Sequence, residues 1–140
     1  MSTKEVVTRL SQVPLFSGCT QKDLLTIARV VKDIDHDEGT VIAREGDAGI
    51  GLFVIADGTA EVTIGGVKKA SLGPGEFFGE IALLDGGPRT ATVTATSDIK
   101  LLGLTEWVFR GLMQEHPSIA VKTLQAMAGR LRNATKNATS

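Results

Sequence analysis

Residues 77–93 read FFGEIALLDGGPRTATV, and this stretch decides how the rest of the chain is interpreted. Residues 80–84 are mostly good helix formers, so they predict one short helical turn directly after Gly79. Residues 85–88 then carry a strong turn signal, and an alternating strand follows them. The pattern therefore predicts a glycine, one turn of helix, a tight turn and a return strand.

The polar side chains in this stretch suit a ligand that carries both a phosphate and a sugar. A glycine that runs into a helical turn presents unpaired backbone N–H groups at the positive end of that turn, which suits an anion. Arg89 adds a permanently charged planar fork that matches phosphate oxygens. A carboxylate at Glu80 competes with a phosphate unless it has another role, and it accepts the hydrogen bonds that a sugar hydroxyl donates. Together these groups predict a pocket for a nucleotide monophosphate.

At these positions the chain resembles the cyclic nucleotide-binding domains. Their phosphate-binding cassette reads F-G-E-[IL]-A-L, then a short variable gap, then P-R-[AST]-A. This chain matches the pattern without a departure at any defining position, at Phe78, Gly79, Glu80, Ile81, Ala82, Leu83, Pro88, Arg89, Thr90 and Ala91. The alternative is a surface turn with a chance Glu–Arg pair, and it does not explain why Gly, Glu and Arg occur together. We therefore identify residues 77–91 as such a cassette.

The resemblance implies a role for each charged or backbone group of the site. The cyclic phosphate is expected on Arg89 and on the backbone N–H groups around Ala82. Glu80 is expected to bind the ribose 2′-hydroxyl, and Gly79 lets the backbone come close to the ligand. Phe78, Ile81 and Ala91 complete the binding residues expected within the cassette. No catalytic residue, metal or cofactor is expected, only cAMP or cGMP as ligand.

The resemblance leaves the choice of base open. By position in the family pattern, Val62 and Leu72 are the candidates for apolar contacts with the base. Thr90 follows the arginine, where a Ser or Thr in some members of the family favours cGMP over cAMP. The simpler interpretation is that Thr90 is an ordinary β-branched residue in a strand. In the family the final helix usually covers the base, and three polar residues are candidates to reach it there: Arg132, Asn133 and Thr135.

The bulk composition excludes several other functions. The chain has 140 residues, 42% of them apolar, which fits one folded domain with a single core. A formal net charge of −1 leaves no basic excess for nucleic acid. The single Cys19 excludes an internal disulfide framework and a zinc cluster. No apolar run reaches the ~18 residues of a membrane span and no signal-peptide core is present, so we expect the cytoplasm.

Turn signals roughly every 8–12 residues predict an all-β sandwich or barrel between residues 33 and 104. The strands are short and punctuated by glycines, as in a double-sheet jelly roll. The clearest strands cover residues 52–56, 60–64, 67–72, 90–96 and 99–104. Helices precede and follow them, so the fold class is mainly β with flanking helices. The resemblance implies the same fold: an eight-stranded jelly-roll barrel, N-terminal helices and two C-terminal helices.

The flanking segments carry helical patterns with recognisable ends. Residues 3–12 form an amphipathic stretch that Pro14 breaks, and Thr20 with Asp23 resembles a capping box for a helix that runs to about residue 32. Thr105 is a candidate N-cap, and Pro117 suits the first turn of the final helix. We expect one domain with three parts, and a frayed tail from residue 133: N-terminal helices 1–32, β-roll 33–104 and hinge and lid helices 105–136.

The main functional interpretation is a regulatory module that binds a cyclic nucleotide and transmits binding through its final helix. An apolar seam on that helix, spaced 4, 3 and 4, suits either a partner helix or the barrel: Ala120, Leu124, Met127 and Leu131. The seam makes a homodimer one candidate, and an effector outside this chain another. Related bacterial regulators carry a helix-turn-helix after this helix, and only a few residues follow it here, so we expect no DNA binding by this chain alone.

Two other classes of function are weighed against this interpretation. A metal-dependent jelly-roll enzyme of the cupin type needs clustered histidines, whereas His36 and His116 lie 80 residues apart. A cassette that has lost its ligand and serves as a protein-interaction domain is the other alternative. The intact Glu80 and Arg89 count against it.

Overall fold

The computed structural model describes residues 1–49 and 51–139, with side chains described as far as residue 134. Two compact units are present in this chain. One comprises Met1–Arg29 together with the residues from Gly111 onward, and the other is Val30–Arg110.

The unit Val30–Arg110 is built from two antiparallel four-stranded sheets. Its strands in the described residues are β1 (Lys32–His36), β2 (Val41–Ala43), β3 (Gly51–Asp57), β4 (Ala60–Ile64), β5 (Val67–Leu72), β6 (Phe77–Phe78), β7 (Thr92–Ala95) and β8 (Ile99–Thr105). The strand orders are β1-β8-β3-β6 and β2-β7-β4-β5. This arrangement confirms the predicted mainly-β fold and its eight-stranded double-sheet jelly roll. Strands β4 and β5 have the predicted bounds, joined by the turn Gly65-Gly66.

The core of this unit is the apolar layer formed by inward-facing strand residues. In β7, Val93 and Ala95 are buried while Thr92 and Thr94 are half-buried, as the period of two requires. The buried cluster comprises Ala43, Phe53, Ile55, Ala60, Val93, Ala95, Ile99 and Leu101. Val62, Leu72 and Phe78 are partly buried and pack against this cluster. The cassette therefore begins, at Phe78, on a residue anchored in the core.

The helices begin and end largely where the sequence predicts. They are α1 (Thr3–Ser11), α2 (Gln21–Ala28), α3 (Ala82–Asp85), α4 (Glu106–Glu115) and α5 (Pro117–Thr139), with a 3₁₀ turn at Pro14–Phe16. Helix α2 ends before residue 32, because Lys32 already pairs with Gly103 as the first residue of β1. The Thr105 hydroxyl accepts from the N–H of Val108, which confirms Thr105 as a cap of α4.

Asp23 performs two roles in the unit that contains both chain ends. Its carboxylate accepts from the N–H of Thr20 while its own N–H donates to the Thr20 hydroxyl, which completes the predicted capping box. The same carboxylate accepts from Lys122 Nζ at 3.0 Å and from the Ser118 hydroxyl at 3.4 Å. Burial raises the pKa of Asp23, but the hydrogen bonds from Lys122 and Thr20 outweigh it and hold the pKa below its ordinary value. The ion pair thus joins α2 to α5.

Helix α5 differs from its prediction at the C-terminal end. Its backbone is helical to Thr139, three residues beyond the predicted end of the lid helix at residue 136. In the predicted seam, Leu124 and Leu131 are both 69% exposed, whereas Ala120 and Met127 are half-buried. The candidate Thr135 lies outside the described side chains.

Candidate functional site

The cassette bends sharply at Gly79. Phe77 and Phe78 pair with β3, and Gly79 then takes a left-handed conformation with φ +83°. Helix α3 starts at Ala82, two residues later than predicted, because Gly79 and the residues after it form the turn that precedes the helix. The N–H of Leu83 donates to the Gly79 carbonyl at 3.2 Å, and Gly86 ends the helix with φ +63° by donating to Ala82.

Gly79 is required both for its backbone and for the space above it. A side chain there would be strained because φ is positive. A β-carbon would also overlap with Arg89 Nη1 and the Gly51 carbonyl oxygen, and it would lie 3.0 Å from Arg89 Cζ. The guanidinium of Arg89 therefore occupies the space that a side chain at position 79 would fill.

Arg89 is held on several sides but has no carboxylate partner in the described part of the chain. Its Nη2 donates to the Gly51 carbonyl at 2.8 Å, and its guanidinium carbon lies 5.8 Å from the centre of the Phe53 ring. Neither ion pair among the described residues involves Arg89. Burial lowers the pKa of this guanidinium below its ordinary value, although an arginine remains charged at any physiological pH. A half-buried cation of this kind favours an anionic ligand.

Backbone hydrogen bonds from residues 46–49, which precede β3, fix the backbone of Arg89 and Gly87. The N–H of Arg89 donates to Asp47 at 2.7 Å, and the Arg89 carbonyl accepts from Gly46 at 2.8 Å. One step along, Gly49 donates to the Gly87 carbonyl at 2.9 Å. The sequence predicts a structural turn at residues 44–47, and its role here is to support the exit from the cassette.

A cavity of about 430 Å³ lies between the cassette and one sheet, within the range typical of small-molecule sites. Nine of the ten predicted site residues line it: Val62, Phe78, Gly79, Glu80, Ile81, Ala82, Arg89, Thr90 and Ala91. Leu72 does not line the cavity. It pairs with Ala60 in β5 and packs against the core, whereas Val62 pairs with Ala70. Because Ala60 and Val62 alternate along β4, this pairing places Leu72 on the same face of the sheet as Val62, and its contact with the base stays a prediction.

Five further lining residues were not in the predicted binding set: Ala43, Asp85, Gly87, Pro88 and Val93. Four of them lie within residues 77–93, and three of these form the cassette's exit turn: Asp85, Gly87 and Pro88. Val93 pairs with Ala43 on one side and with Val62 on the other, so the three form a row across the sheet. The alternation in Thr92–Ala95 is the signal that points Val93 inward. No comparable signal marks Ala43, because β2 has only three residues.

The chemistry of the lining is divided between one polar side and one apolar wall. Ala43, Val62 and Val93 supply the apolar wall, which suits the flat face of a base. The charged lining residues are Glu80, Asp85 and Arg89, and Glu80 Oε2 is shielded from solvent. Among the described residues no group of three His, Cys, Asp or Glu side chains is placed to hold a metal ion. No helix within those residues has the length and apolarity needed to cross a membrane.

Comparisons with known proteins agree with this geometry. The family model described as cyclic nucleotide-binding domain matches residues 34–116. A cyclic nucleotide-gated potassium channel of Mesorhizobium japonicum is 37% identical over 111 residues, which are 79% of this chain and 31% of the channel. The chain spans about 30% of the length of the channel relatives that it matches.

Two solved structures share the fold across most of the chain. The N-terminal domain of a transcriptional regulator from Streptomyces coelicolor has a TM-score of 0.83 and 30% identity, covering 95% of this chain and 94% of that one. The regulatory domain of Toxoplasma gondii PKA, solved with cAMP, has a TM-score of 0.71 and 32% identity. That match covers 79% of this chain and 44% of the other.

Proposed function

Because this chain belongs to the cyclic nucleotide-binding domain family, we propose that its cavity binds cAMP, with cGMP as the alternative ligand, and that the protein is a regulatory sensor. The observation that carries the proposal is the Arg89 guanidinium, half-buried beside the cavity with no carboxylate partner in the described residues. Such a cation is stabilised by an anion that enters the same space. The structure solved with cAMP supports the choice of that ligand.

The proposed contacts follow the groups that line the cavity. The cyclic phosphate binds the Arg89 fork and the N–H groups of Ile81 and Ala82, which donate to no backbone carbonyl within the described residues. Glu80 accepts from the ribose 2′-hydroxyl. The base lies against Val62 and its neighbours in the sheet, with Leu72 on the same face as a further candidate contact.

The apolar wall carries no group that distinguishes adenine from guanine. Thr90 is the hydroxyl-bearing side chain among the described lining residues, and it is exposed. Its hydroxyl is therefore the proposed determinant of the cAMP-to-cGMP ratio. Thr90→Ala should leave cAMP affinity nearly unchanged and lower cGMP affinity if Thr90 contacts guanine.

The family binds ligands and regulates other proteins rather than catalysing reactions, and we propose that this chain is not an enzyme. Binding is transmitted through α5, whose exposed Leu124 and Leu131 suit a second copy of this helix or an effector. The cytoplasm is the proposed compartment. A protein-interaction domain without a ligand is the alternative function, and the binding experiment below decides between them.

The test is calorimetric titration of the folded, ligand-free protein with cAMP and with cGMP. We expect binding in the micromolar range or tighter, and a loss of at least about tenfold in Arg89→Ala, since a hydrogen bond to a charged group contributes about 1.5–3 kcal/mol. Arg89→Lys keeps the charge but loses the fork, so its affinity should lie between the two. Arg44→Ala is the matched control, because Arg44 is exposed and does not line the cavity. No binding of either nucleotide would refute the sensor and favour the interaction domain.

A further inference from the structure

The charged groups that line the cavity do not balance. Three charged side chains line it among the described residues, namely Arg89, Glu80 and Asp85. One guanidinium and two carboxylates give a formal charge of −1 before any ligand enters. The proposed function uses Arg89 and Glu80, and it leaves Asp85 without a role.

The fold does not require the negative charge of Asp85. Its Oδ1 accepts from the N–H of Gly87 at 2.8 Å, and the amide oxygen of an asparagine would accept the same bond. Asp85 is exposed and is the last residue of α3, which is a helix of only four residues. The nearby Glu106 carboxylate, which approaches Gly86, is itself paired with Arg110. An asparagine would therefore serve the local fold as well as the aspartate does.

We propose that Asp85 is a charge filter that selects singly charged cyclic phosphates over doubly charged open-chain phosphates. This inference rests on the proposed function. A cyclic phosphodiester carries one negative charge, whereas a 5′-monophosphate carries nearly two above its second pKa of about 6. Arg89 can neutralise one charge only. Repulsion by Asp85 acts on both ligands, but it acts twice as strongly on the dianion.

Coulomb's law sets the size of the effect. Two unit charges a few ångströms beyond contact in a medium as polar as water change a Kd by about threefold. Removal of the Asp85 charge should therefore tighten cAMP about threefold and AMP about tenfold. The selectivity for cAMP over AMP then falls about threefold, and the change should shrink when the salt is raised to about 0.5 M.

The experiment compares wild type with Asp85→Asn, which keeps the hydrogen bond to Gly87. The probes are cAMP, AMP and the monomethyl phosphate ester of AMP, all read by calorimetry or by displacement of a fluorescent cyclic nucleotide. The methyl ester is an open chain with a single charge, so it separates charge from ring closure. Asp57→Asn is the matched control, because Asp57 is an exposed aspartate that accepts from the glycine N–H after it and does not line the cavity.

The charge filter predicts that the gain in Asp85→Asn follows ligand charge: about threefold for cAMP and for the methyl ester, and about tenfold for AMP. Equal gains for all three ligands would overturn it, as would a methyl ester that gains as much as AMP. The same gains in Asp57→Asn would also overturn it, because they would reflect net charge rather than position. A wild type that binds AMP but not cAMP contradicts the filter, and one that binds neither removes the proposed function and the filter together.

Discussion

Gly79→Ala tests whether the space above this glycine is what positions the arginine fork. The substitution has two separable costs. The left-handed backbone at φ +83° strains any side chain by about 1–2 kcal/mol. The new β-carbon would also overlap with the Arg89 fork and the Gly51 carbonyl oxygen that accepts from it.

Gly66→Ala is the matched control for the first cost. Gly66 has φ +79°, and a β-carbon there meets nothing within 4 Å. It should therefore lose about 1–2 kcal/mol of unfolding free energy and keep its cAMP affinity. The difference between the two variants isolates the steric displacement of Arg89.

We expect Gly79→Ala to lose at least as much stability as Gly66→Ala and to bind cAMP about ten- to a hundredfold more weakly. That range corresponds to the loss of one hydrogen bond to a charged group, about 1.5–3 kcal/mol. Urea unfolding and calorimetric titration measure the two quantities on the same preparations. If Gly79→Ala bound cAMP as well as Gly66→Ala does, the reasoning about the space at Gly79 would be refuted.

Three further predictions concern other parts of the fold. Asp23→Asn should lower the unfolding free energy by about 1–3 kcal/mol at neutral pH. Because the hydrogen bonds from Lys122 and Thr20 hold the pKa of folded Asp23 low, this difference in unfolding free energy should fade as the pH falls through that folded pKa. A difference that stays constant with pH would contradict the ion pair. Gly58→Ala should destabilise the fold more than Gly39→Ala in urea unfolding. A β-carbon at Gly58 would lie 2.9 Å from Ile99 Cα, whereas one at Gly39 meets nothing within 4 Å. Equal losses of unfolding free energy would count against this packing. If α5 mediates a homodimer, Leu124→Asp should sediment as a monomer where wild type sediments as a dimer, and an unchanged sedimentation coefficient would exclude that role for Leu124.

The sequence predicts the cassette well because its residues are close together in the chain. Gly79, Glu80 and Arg89 all line the cavity, since a glycine turn, a short helix and a return strand bring them together through local geometry. The start of α3 was predicted two residues early. Helix propensity identifies the segment but does not show that a left-handed glycine must first redirect the chain.

The apolar wall of the site is harder to predict, because it depends on strand pairing over long distances in sequence. Val62 lines the cavity because it pairs with Val93, which in turn pairs with Ala43. Ala43 joins the wall only because β2 pairs with β7, and a three-residue strand carries too little alternation to reveal this. Helix α5 runs three residues past its predicted end at residue 136, since polar residues beyond Asn133 give no apolar pattern although the backbone stays helical to Thr139.

The central claim is that the half-buried Arg89 fork receives the cyclic phosphate. The most direct test is a ¹⁵N NMR titration of the labelled protein with cAMP that follows the Arg89 side-chain Nε–H resonance, assigned by its absence in Arg89→Lys. If the fork binds the phosphate, this resonance shifts in a saturable way, together with the backbone amides from Gly79 to Ala82. Saturable binding that left the Arg89 resonance and those amides unmoved would place the ligand elsewhere and refute the role of Arg89.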